Sequence, residues 1–569
     1  MKRIGFLFLL IFIVGMIFAG GNRGGQSSAA AASVGKKYSN IPFVNDGKTK
    51  FTMLIRLAMA NINSYDYNDN SYTKEIVDAT GVQLDFIAVP TADFNTRKNL
   101  LFASGDYPDI LNISYNTNFS EMAYLASEGI IIPLDDYNYF EYPLIAKAFN
   151  EYPALNTVLR LGDGKVYALP YMDDAMWSTY QYGRGWFHMP WIRDHRQMRY
   201  PTTLDELTAY LKWIRDTDVN GNGRNDEIPL VYRNVRQSTA FFAKSFMPFV
   251  FNSTFFGLAL VNGRVTEQYR LNEYRETLKY MAMLYGEKLI KEDAYTLSAD
   301  QLRALLLNPE PIVGMFIEGY AHTAIGNSAD TPRWVETFNL PVMNGPGGRH
   351  WSTNREPWGI CRQAWYVTNK CRDPELVIAL YDYMTKTENY LNGKNQKGKS
   401  WDNPDPGTVG LDGRPAVYKR LVQEIQMPLN SLWYVDNAML NYGDNRLGEQ
   451  TVGMDSINRW LSTGDPSLRD TVLRSPSFLL GGLIHWTRQD EKNAIPASYF
   501  IPPTILSDAD SKRVSDIIAV LDPYIDQSIA EFVTGVRNIN NDTAWNAYLA
   551  DLDRIGSQEM AVIYQKHQK

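Results

Sequence analysis

Apolar runs alternate with amphipathic segments through the first part of the chain. Strands are predicted at the apolar runs 51–57, 82–89 and 109–113, and helices at residues 71–78, 93–103 and 121–127. A β-α-β-α-β order is typical of a lobe in which helices cover a largely parallel sheet. The pattern therefore predicts an α/β lobe close to the N-terminus.

Helical spacing returns in the middle of the chain and near its C-terminal end. Residues 203–206 (Thr-Leu-Asp-Glu) match a capping box, in which the Thr hydroxyl accepts from the N–H of Glu206 and the Glu side chain reaches back. Apolar residues then recur at helical spacing through Ile214. Residues 514–521 and 544–555 have the same periodicity, which indicates C-terminal helices packed on a second lobe.

Composition and motif content limit the kinds of function that the chain can have. The chain has 569 residues, of which 45% are apolar, and this is enough for two large lobes. Its 56 basic and 63 acidic residues give a net charge of −7, which disfavours a protein that wraps nucleic acid. The sequence has no zinc-helix spacing of histidines, no G-x-S-x-G elbow and no P-loop, so these motifs give no support for an enzyme.

The N-terminus has the features of an export signal. Lys2 and Arg3 precede an apolar stretch at residues 4–18, and small residues follow it. Residues 1–19 are therefore predicted to be a signal peptide, with an uncleaved anchor as the alternative. Residues 20–47 begin with a Gly-, Ser- and Ala-rich stretch and are predicted to form a flexible tether. Gly21 stands where a lipidation motif would have Cys, so an unlipidated periplasmic or extracellular protein is expected.

Several motifs occur together in an order that identifies a family. They are Ala-Ser-Gly-Asp-Tyr-Pro-Asp-Ile at residues 103–110, Trp-Ile-Arg-Asp at 191–194 with Pro-Thr-Thr-Leu-Asp-Glu-Leu at 201–207, Trp-Tyr-Val-Thr-Asn-Lys at 365–370, and Glu-Phe-Val-Thr-Gly at 531–535. The set resembles the family 1 extracellular solute-binding proteins of ABC importers, in the branch that includes alginate-binding proteins.

The resemblance implies a two-lobe periplasmic-binding-protein type II fold of the α/β class, with a hinge, a central cleft and extra C-terminal helices. It places the first lobe at residues 48–165 plus about 312–390, and the second at 166–311 plus about 391–569. It also implies a monomer that binds a carbohydrate, by preference an oligosaccharide, in the cleft and delivers it to ABC permease subunits without catalysis. An anionic sugar would require Arg or Lys side chains aimed at its carboxylates, and because the sequence identifies no such cluster, a neutral sugar is preferred.

The loop 216–227 carries oxygen side chains at nearly every second position, with glycines between them. Ca²⁺ requires six to eight oxygen ligands from a strongly curved backbone. If Asp216 is the first ligand, Gly221 and Glu227 occupy the positions of the glycine and of the last glutamate in a helix-loop-helix calcium site. The favoured register resembles the loop of alginate-binding proteins and uses Asp218, Asn220, Asn222, the Arg224 carbonyl, Asp226 and Glu227. A polar turn without metal is the alternative to this structural Ca²⁺ site.

Aromatic residues make up 13% of the chain, and sugar sites combine aromatic platforms with planar polar side chains. By position against the family, the resemblance implies that the cleft is lined by the aromatic residues Tyr171, Tyr320, Trp433 and Tyr434 and by the polar residues Glu318 and Asn61. For each aromatic residue a place in the core is the competing interpretation.

Two other functions compete with sugar capture. A secreted glycoside hydrolase would need two carboxyl groups flanking the scissile bond, and the acidic residues of the chain are numerous enough to supply them. A protein of the same fold that binds a peptide or another solute is the second alternative.

Overall fold

The computed structural model describes most of the chain. The described residues are 37–57, 66–90, 93–113, 119–173, 183–195, 200–250, 257–319, 321–325, 333–339, 342–352, 360–386, 401–410, 413–421 and 491–568, with short pieces within 388–398 and 450–468.

The strands are numbered in chain order. They are β1 (Lys50–Leu57), β2 (Gln83–Pro90), β3 (Ile110–Asn112), β4 (Pro170–Asp173), β5 (Arg184–His188), β6 (Ile228–Tyr232), β7 (Leu258–Val261), β8 (Arg264–Glu267), β9 (Val313–Glu318), β10 (Thr337–Asn339), β11 (Ile360–Gln363), β12 (Trp365–Val367), β13 (Trp401–Asp402) and β14 (Lys419–Arg420).

The α-helices are numbered in the same way. They are α1 (Ser71–Thr80), α2 (Phe94–Ser104), α3 (Phe119–Ser127), α4 (Pro143–Glu151), α5 (Leu155–Val158), α6 (Met189–His195), α7 (Leu204–Asp216), α8 (Val235–Ala243), α9 (Asn272–Gly286), α10 (Ala299–Leu306), α11 (Ala321–Ile325), α12 (Arg333–Glu336), α13 (Pro374–Met384), α14 (Asp508–Thr534), α15 (Asp542–Ile555) and α16 (Ser557–Lys566). None of the helices in this part of the chain combines the length and hydrophobicity needed to cross a bilayer.

The first sheet has the order β12-β3-β1-β2. β1 pairs in parallel with β2 and β3, and β12 pairs antiparallel with β3. Phe51, Met53, Leu54 and Ile55 of β1 are almost completely buried, and each fully buried residue of this size contributes about 1.5–3 kcal/mol. The predicted β-α-β-α-β order and the largely parallel sheet are confirmed, with boundaries that differ by one or two residues.

The second sheet has the order β10-β5-β9-β6. All six residues of β9 are buried, and the strand lies between β5, which is antiparallel to it, and β6, which is parallel. The glycine at position 314 allows close packing here, since a Cβ on it would lie 2.1 Å from Cδ1 of Ile214 in α7.

Each sheet has its own hydrophobic core. One core contains residues from 51–169 and 364–384, and the other contains residues from 187–343 and 501–564. The predicted return to the first lobe at about residue 312 differs from this packing, because β9 and β10 pair in the second sheet. Residues 313–318 form a buried apolar strand that either sheet would accept, so the sequence pattern does not fix its partner.

The residues just before β1 pack on the first lobe, although the predicted tether extends to residue 47. The backbone N–H groups of Phe43 and Val44 both donate to the Thr80 carbonyl, at 2.9 and 3.3 Å. Lys37 Nζ donates to Asp373 Oδ2 at 2.7 Å, and the Tyr38 hydroxyl donates to the same atom. Partial burial opposes the shift, but these hydrogen bonds hold the pKa of Asp373 below its ordinary value.

The predicted capping box at the start of α7 is half formed. The Thr203 hydroxyl accepts from the N–H of Glu206 at 3.1 Å, as expected. The Glu206 carboxylate instead accepts from the N–H and the hydroxyl of Thr202, both at 2.8 Å. Thr202 offers this carboxylate two donors, whereas the backbone of Thr203 would offer one.

The C-terminal helices α14, α15 and α16 belong to the second core, as the periodicity predicted. The longest of them, α14, packs on α9 and also contacts α3 of the first lobe. Arg236 at the start of α8 forms ion pairs with Asp522 and Asp526 on α14, the latter at 2.7 Å. These contacts fix the helical extension to the second lobe.

Candidate functional site

The chain passes between the lobes at the carboxyl ends of the sheet strands. β12 begins beside the end of β3, and the N–H of Leu169 donates to the Trp365 carbonyl at 2.8 Å, just before β4. β4 pairs antiparallel with β11. After β4, β5 enters the second sheet at Arg184, opposite the last residue of β9. Ligands of open α/β sheets bind outside the carboxyl ends of the strands, so both edges are candidate binding surfaces.

The edge of the first sheet carries two buried polar side chains. Asn112 ends β3, Trp365 begins β12, and the two residues are register partners. They are 3% and 0% exposed. Neither the Asn112 amide nor the Trp365 indole N–H has a hydrogen-bond partner among the described residues. Tyr171, one of the predicted ligand-binding residues, lies close by on β4, half-buried and opposite Arg362.

The edge of the second sheet carries an ion pair. Glu318 ends β9 and its side chain is 4% exposed, whereas Arg233, which follows β6, is 30% exposed. Arg233 Nε lies 3.0 Å from Glu318 Oε2, and the hydrogen bond runs from Nη2 to Oε1 at 3.3 Å. Burial raises the pKa of Glu318, and the Arg233 guanidinium limits that rise. Glu318 therefore orients Arg233 at the edge.

Helix α8 approaches this edge closely. A Cβ on Gly183, which has φ of 79°, would lie 1.9 Å from the Gln237 carbonyl oxygen, so only glycine allows this contact. The Gln237 side-chain Oε1 is buried without a hydrogen-bond partner in the described structure. Its Nε2 lies near Gly319, the residue after Glu318. A planar amide and a guanidinium thus flank the end of β9.

The remaining predicted ligand residues are Asn61, Tyr320, Trp433 and Tyr434, and they lie outside the described residues. The structure therefore brings Tyr171 and Glu318 to the two edges. Four further residues at these edges were not predicted as candidate site residues from the sequence, namely Asn112, Trp365, Arg233 and Gln237. A polar residue that ends or follows a buried apolar strand is the signal that would have identified Asn112 and Arg233.

The oxygen-rich loop connects α7 to β6. The Asp218 carboxylate accepts from the N–H groups of Asn222 and Gly223 at 3.1 and 2.8 Å. The side-chain oxygens of Asn220 and Asn222 accept from the N–H two residues further on, at 2.9 and 2.8 Å. These bonds curl the backbone around the polar side chains. Asp216 lies outside the curl, since its carboxylate binds the Arg215 guanidinium at 2.7 and 2.8 Å.

The side chains of the loop converge. Nδ2 atoms of Asn220 and Asn222 lie 3.5 and 3.3 Å from Asp226 Oδ1. Glu227 Oε1 accepts from the N–H groups of Val219 and Asn220. Its other oxygen, Oε2, is buried and has no hydrogen-bond partner within the described ranges. That orphaned carboxylate oxygen fits a cation.

The donor set of this loop consists of oxygens, which suits a hard cation such as Ca²⁺. It depends on amide and backbone oxygens in addition to carboxylates. Considering only His, Cys, Asp and Glu, the described residues contain no group of three or more arranged to hold a metal. Two hydrogen bonds also connect the loop to the segment before β9. Arg224 Nη2 donates to Glu310 Oε2 at 2.6 Å, and Asn220 Nδ2 donates to the Pro311 carbonyl at 3.0 Å.

Comparison with known proteins identifies relatives of the whole chain. The family model described as bacterial extracellular solute-binding protein matches residues 66–390. The fructooligosaccharide ABC transporter substrate-binding protein FusA of Streptococcus pneumoniae is 23% identical over 543 residues, which are 91% of this chain and 90% of that protein. The polygalacturonan/rhamnogalacturonan-binding protein YtcQ of Bacillus subtilis is 26% identical over 461 residues, 77% of this chain and 81% of the relative.

Solved structures share the fold. FusA in complex with kestose has a TM-score of 0.69 at 19% identity, covering 91% of this chain and 98% of that one. A FusA EF-hand mutant with fructo-nystose gives 0.68 at 18% identity, with the same coverage. Alginate-binding protein AlgQ2 without calcium ion gives 0.63 at 17% identity, covering 93% and 99%. These structural similarities confirm the predicted two-lobe fold class.

Replacing Arg233 with Met is expected to destabilise the protein in a pH-dependent way. The pKa of Glu318 is already raised by burial, and loss of the guanidinium raises it further. A buried carboxyl group of raised pKa costs stability as pH rises above its unfolded pKa of about 4.3. The deficit should therefore be small at pH 4.5 and on the order of 1–3 kcal/mol at pH 7.5.

Thermal melts at the two pH values measure this difference. The double variant Arg233→Met, Glu318→Gln is the control, because it leaves no buried charge and should recover most of the stability at pH 7.5. An equal deficit of the single variant at both pH values would contradict the assigned ion pair.

Proposed function

This chain belongs to the bacterial extracellular solute-binding protein family, and we propose that it captures an oligosaccharide between its two lobes for an ABC importer. The observation that carries the proposal is a full-length relative, FusA, named for binding fructooligosaccharides, which aligns with 91% of this chain. The polar edges of both sheets support it, because planar amide and guanidinium groups suit sugar hydroxyls.

Capture by closure follows from where the polar groups lie. Asn112 and Trp365 belong to the first lobe, and Arg233 and Gln237 belong to the second. A ligand that contacts both sets interacts better with a closed arrangement than with an open one, and this difference drives closure. Tyr171 on the crossing strand β4 supplies an aromatic face between them. Asn61, Tyr320, Trp433 and Tyr434 remain proposed ligand contacts.

The two edges differ in charge, which bears on the type of sugar. The buried pair Asn112 and Trp365 at the first edge is uncharged, whereas the second edge presents Arg233 paired with Glu318. The first arrangement suits a neutral sugar hydroxyl. Arg233 can in addition hydrogen-bond a carboxylate, as an acidic glycan would require. Both neutral and acidic oligosaccharides therefore belong in the test.

A thermal-shift screen tests the proposed capture. The panel contains kestose, nystose, Man5GlcNAc and trigalacturonate, with trialanine to represent peptides. A ligand at about a hundred times its Kd stabilises the protein by about 2.7 kcal/mol, so a bound oligosaccharide should raise the melting temperature by several degrees. Tyr171→Ala should reduce that shift. A shift with trialanine and none with any sugar would overturn the carbohydrate proposal.

We infer further that the loop 218–227 binds a structural Ca²⁺. Its ligands would be the side chains of Asp218, Asn220, Asn222, Asp226 and Glu227 and the Arg224 carbonyl. The bound ion would neutralise these carboxylates and hold the loop between α7, β6 and the segment before β9. The orphaned Glu227 oxygen supports this, as do solved neighbours described as an EF-hand mutant and as lacking calcium ion.

Addition of Ca²⁺ to chelator-treated protein should raise its melting temperature, and Asp218→Asn should remove most of that increase, because one charged ligand is lost. Asp216→Asn is the matched control, since Asp216 binds Arg215 outside the loop and the response to Ca²⁺ should persist. Loss of the response in Asp216→Asn as well as in Asp218→Asn would favour the register that starts at Asp216, because Asp218 is a ligand in both registers. The absence of any response in wild-type protein would exclude the site.

We propose export and the absence of lipidation from the N-terminal sequence. Residues 1–36 lie outside the described structure, and the proposal is supported by Lys2, Arg3, the apolar stretch that follows and Gly21. Lys37, the first described residue, donates a hydrogen bond to Asp373 of the first lobe. The preceding tether would therefore be connected to that lobe.

Intact mass spectrometry of the secreted protein tests export and lipidation together. The mature chain should begin near residue 20 and carry no acyl group. A retained Met1, or an added lipid mass, would contradict this part of the proposal.

A further inference from the structure

Asn112 occupies an unusual place for an amide side chain. It is the last residue of the short strand β3, whose three residues are all buried, and it lies between Ile55 of β1 and Trp365 of β12. Only 3% of it is exposed. Side chains directly opposite one another on paired strands project to the same face, so Asn112 and Trp365 share a face at the end of the sheet.

The hydrogen-bonding groups of this pair are unsatisfied in the described structure. Both Nδ2 and Oδ1 of Asn112 and Nε1 of Trp365 are buried and have no partner there. A buried polar group without a partner costs folding free energy, and an apolar residue of the same shape would avoid that cost. Burial alone therefore gives no reason for an amide at this position.

The pair also lies beside the passage between the lobes. The N–H of Leu169 donates to the Trp365 carbonyl, and the N–H of Ala364 donates to the Leu169 carbonyl at 2.7 Å. β4 starts at the next residue, Pro170, and carries Tyr171. The Trp365 ring packs edge-on against Tyr381, at 5.2 Å between ring centroids, which fixes the indole orientation. The unsatisfied groups thus lie at the strand ends, next to the connection between the lobes, and the ring that carries one of them is held by packing.

We propose that Asn112 and Trp365 form a hydrogen-bonding subsite for a pair of neighbouring sugar hydroxyls, an inference that rests on the proposed capture of an oligosaccharide. Asn112 Oδ1 accepts from one hydroxyl and Nδ2 donates to the oxygen of the next. Trp365 Nε1 donates to one of the same oxygens. The subsite offers two donor groups and one acceptor and contains no charged group, which suits sugar hydroxyls, because each hydroxyl both donates and accepts. Bound sugar then provides the partners that the folded chain lacks.

A second unsatisfied group serves as the matched control. The Tyr366 hydroxyl is also buried without a partner among the described residues, and burial raises its pKa. Tyr366 is next to Trp365 on β12 but pairs with Leu111, so its side chain projects to the opposite face of the sheet. Removing its hydroxyl changes the same strand and a similar type of group without touching the proposed subsite.

The test compares Asn112→Leu, Trp365→Phe and Tyr366→Phe with wild type by thermal melting and by calorimetric titration with each sugar of the panel named above. Asn112→Leu should keep or raise the melting temperature of the sugar-free protein, because it removes an unsatisfied buried amide. Its Kd for any sugar that binds wild type should weaken by about tenfold or more. Trp365→Phe should weaken binding by a smaller factor, and Tyr366→Phe should leave Kd unchanged.

Each result decides the inference. If Asn112→Leu binds the sugar with wild-type Kd, or if it lowers the melting temperature without changing Kd, Asn112 has a structural role and the subsite is wrong. If Trp365→Phe alone folds and binds normally, the indole contribution is wrong. If wild-type protein binds no sugar of the panel, the proposed function itself fails, an outcome distinct from the failure of one variant.

Discussion

The pairing of crossing strands β4 and β11 determines how the two lobes meet. Residues 170–173 lie antiparallel to residues 360–363. The first segment leads away from the first lobe, and the second leads into β12 of the first sheet, beside the end of β3. β5 then enters the second sheet opposite the end of β9. The chain therefore connects the lobes at the strand ends where parallel sheets place their ligands. The location of the proposed site follows from this connection, whichever side chains line it.

The buried polar groups at the two sheet edges differ in whether they have a partner. On the second edge Glu318 is buried, but Arg233 lies within 3.0 Å and compensates its charge. On the first edge the buried Asn112 amide has no compensating partner in the described residues. A paired charge keeps its geometry before a ligand arrives, whereas an unsatisfied neutral amide gains most when a hydroxyl fills its place. In the proposed capture, the second lobe therefore orients the ligand and the first lobe contributes affinity.

Stability of the second lobe depends on polar connections as well as on its core. The loop 216–227 contributes Val219 to the core, and its side chains bond to the segment before β9. On the other side, Arg236 fastens α14 to the start of α8. Helix α14 also contacts α3 of the first lobe. The C-terminal extension therefore packs on the second lobe and touches the first lobe as well.

The sequence by itself determined the local elements, the α/β class and the family. Strand and helix periodicity depends on neighbours a few residues away, and so β1 to β3, α7 and the C-terminal helices were predictable, as was the curled loop around Asp218. Tertiary structure decided which sheet received β9 and where the chain returned to the first lobe. It also decided that Asn112 meets Trp365 and that Arg233 meets Glu318. These contacts join residues 85 to 253 positions apart in the chain, and only the packing of whole sheets brings such residues together.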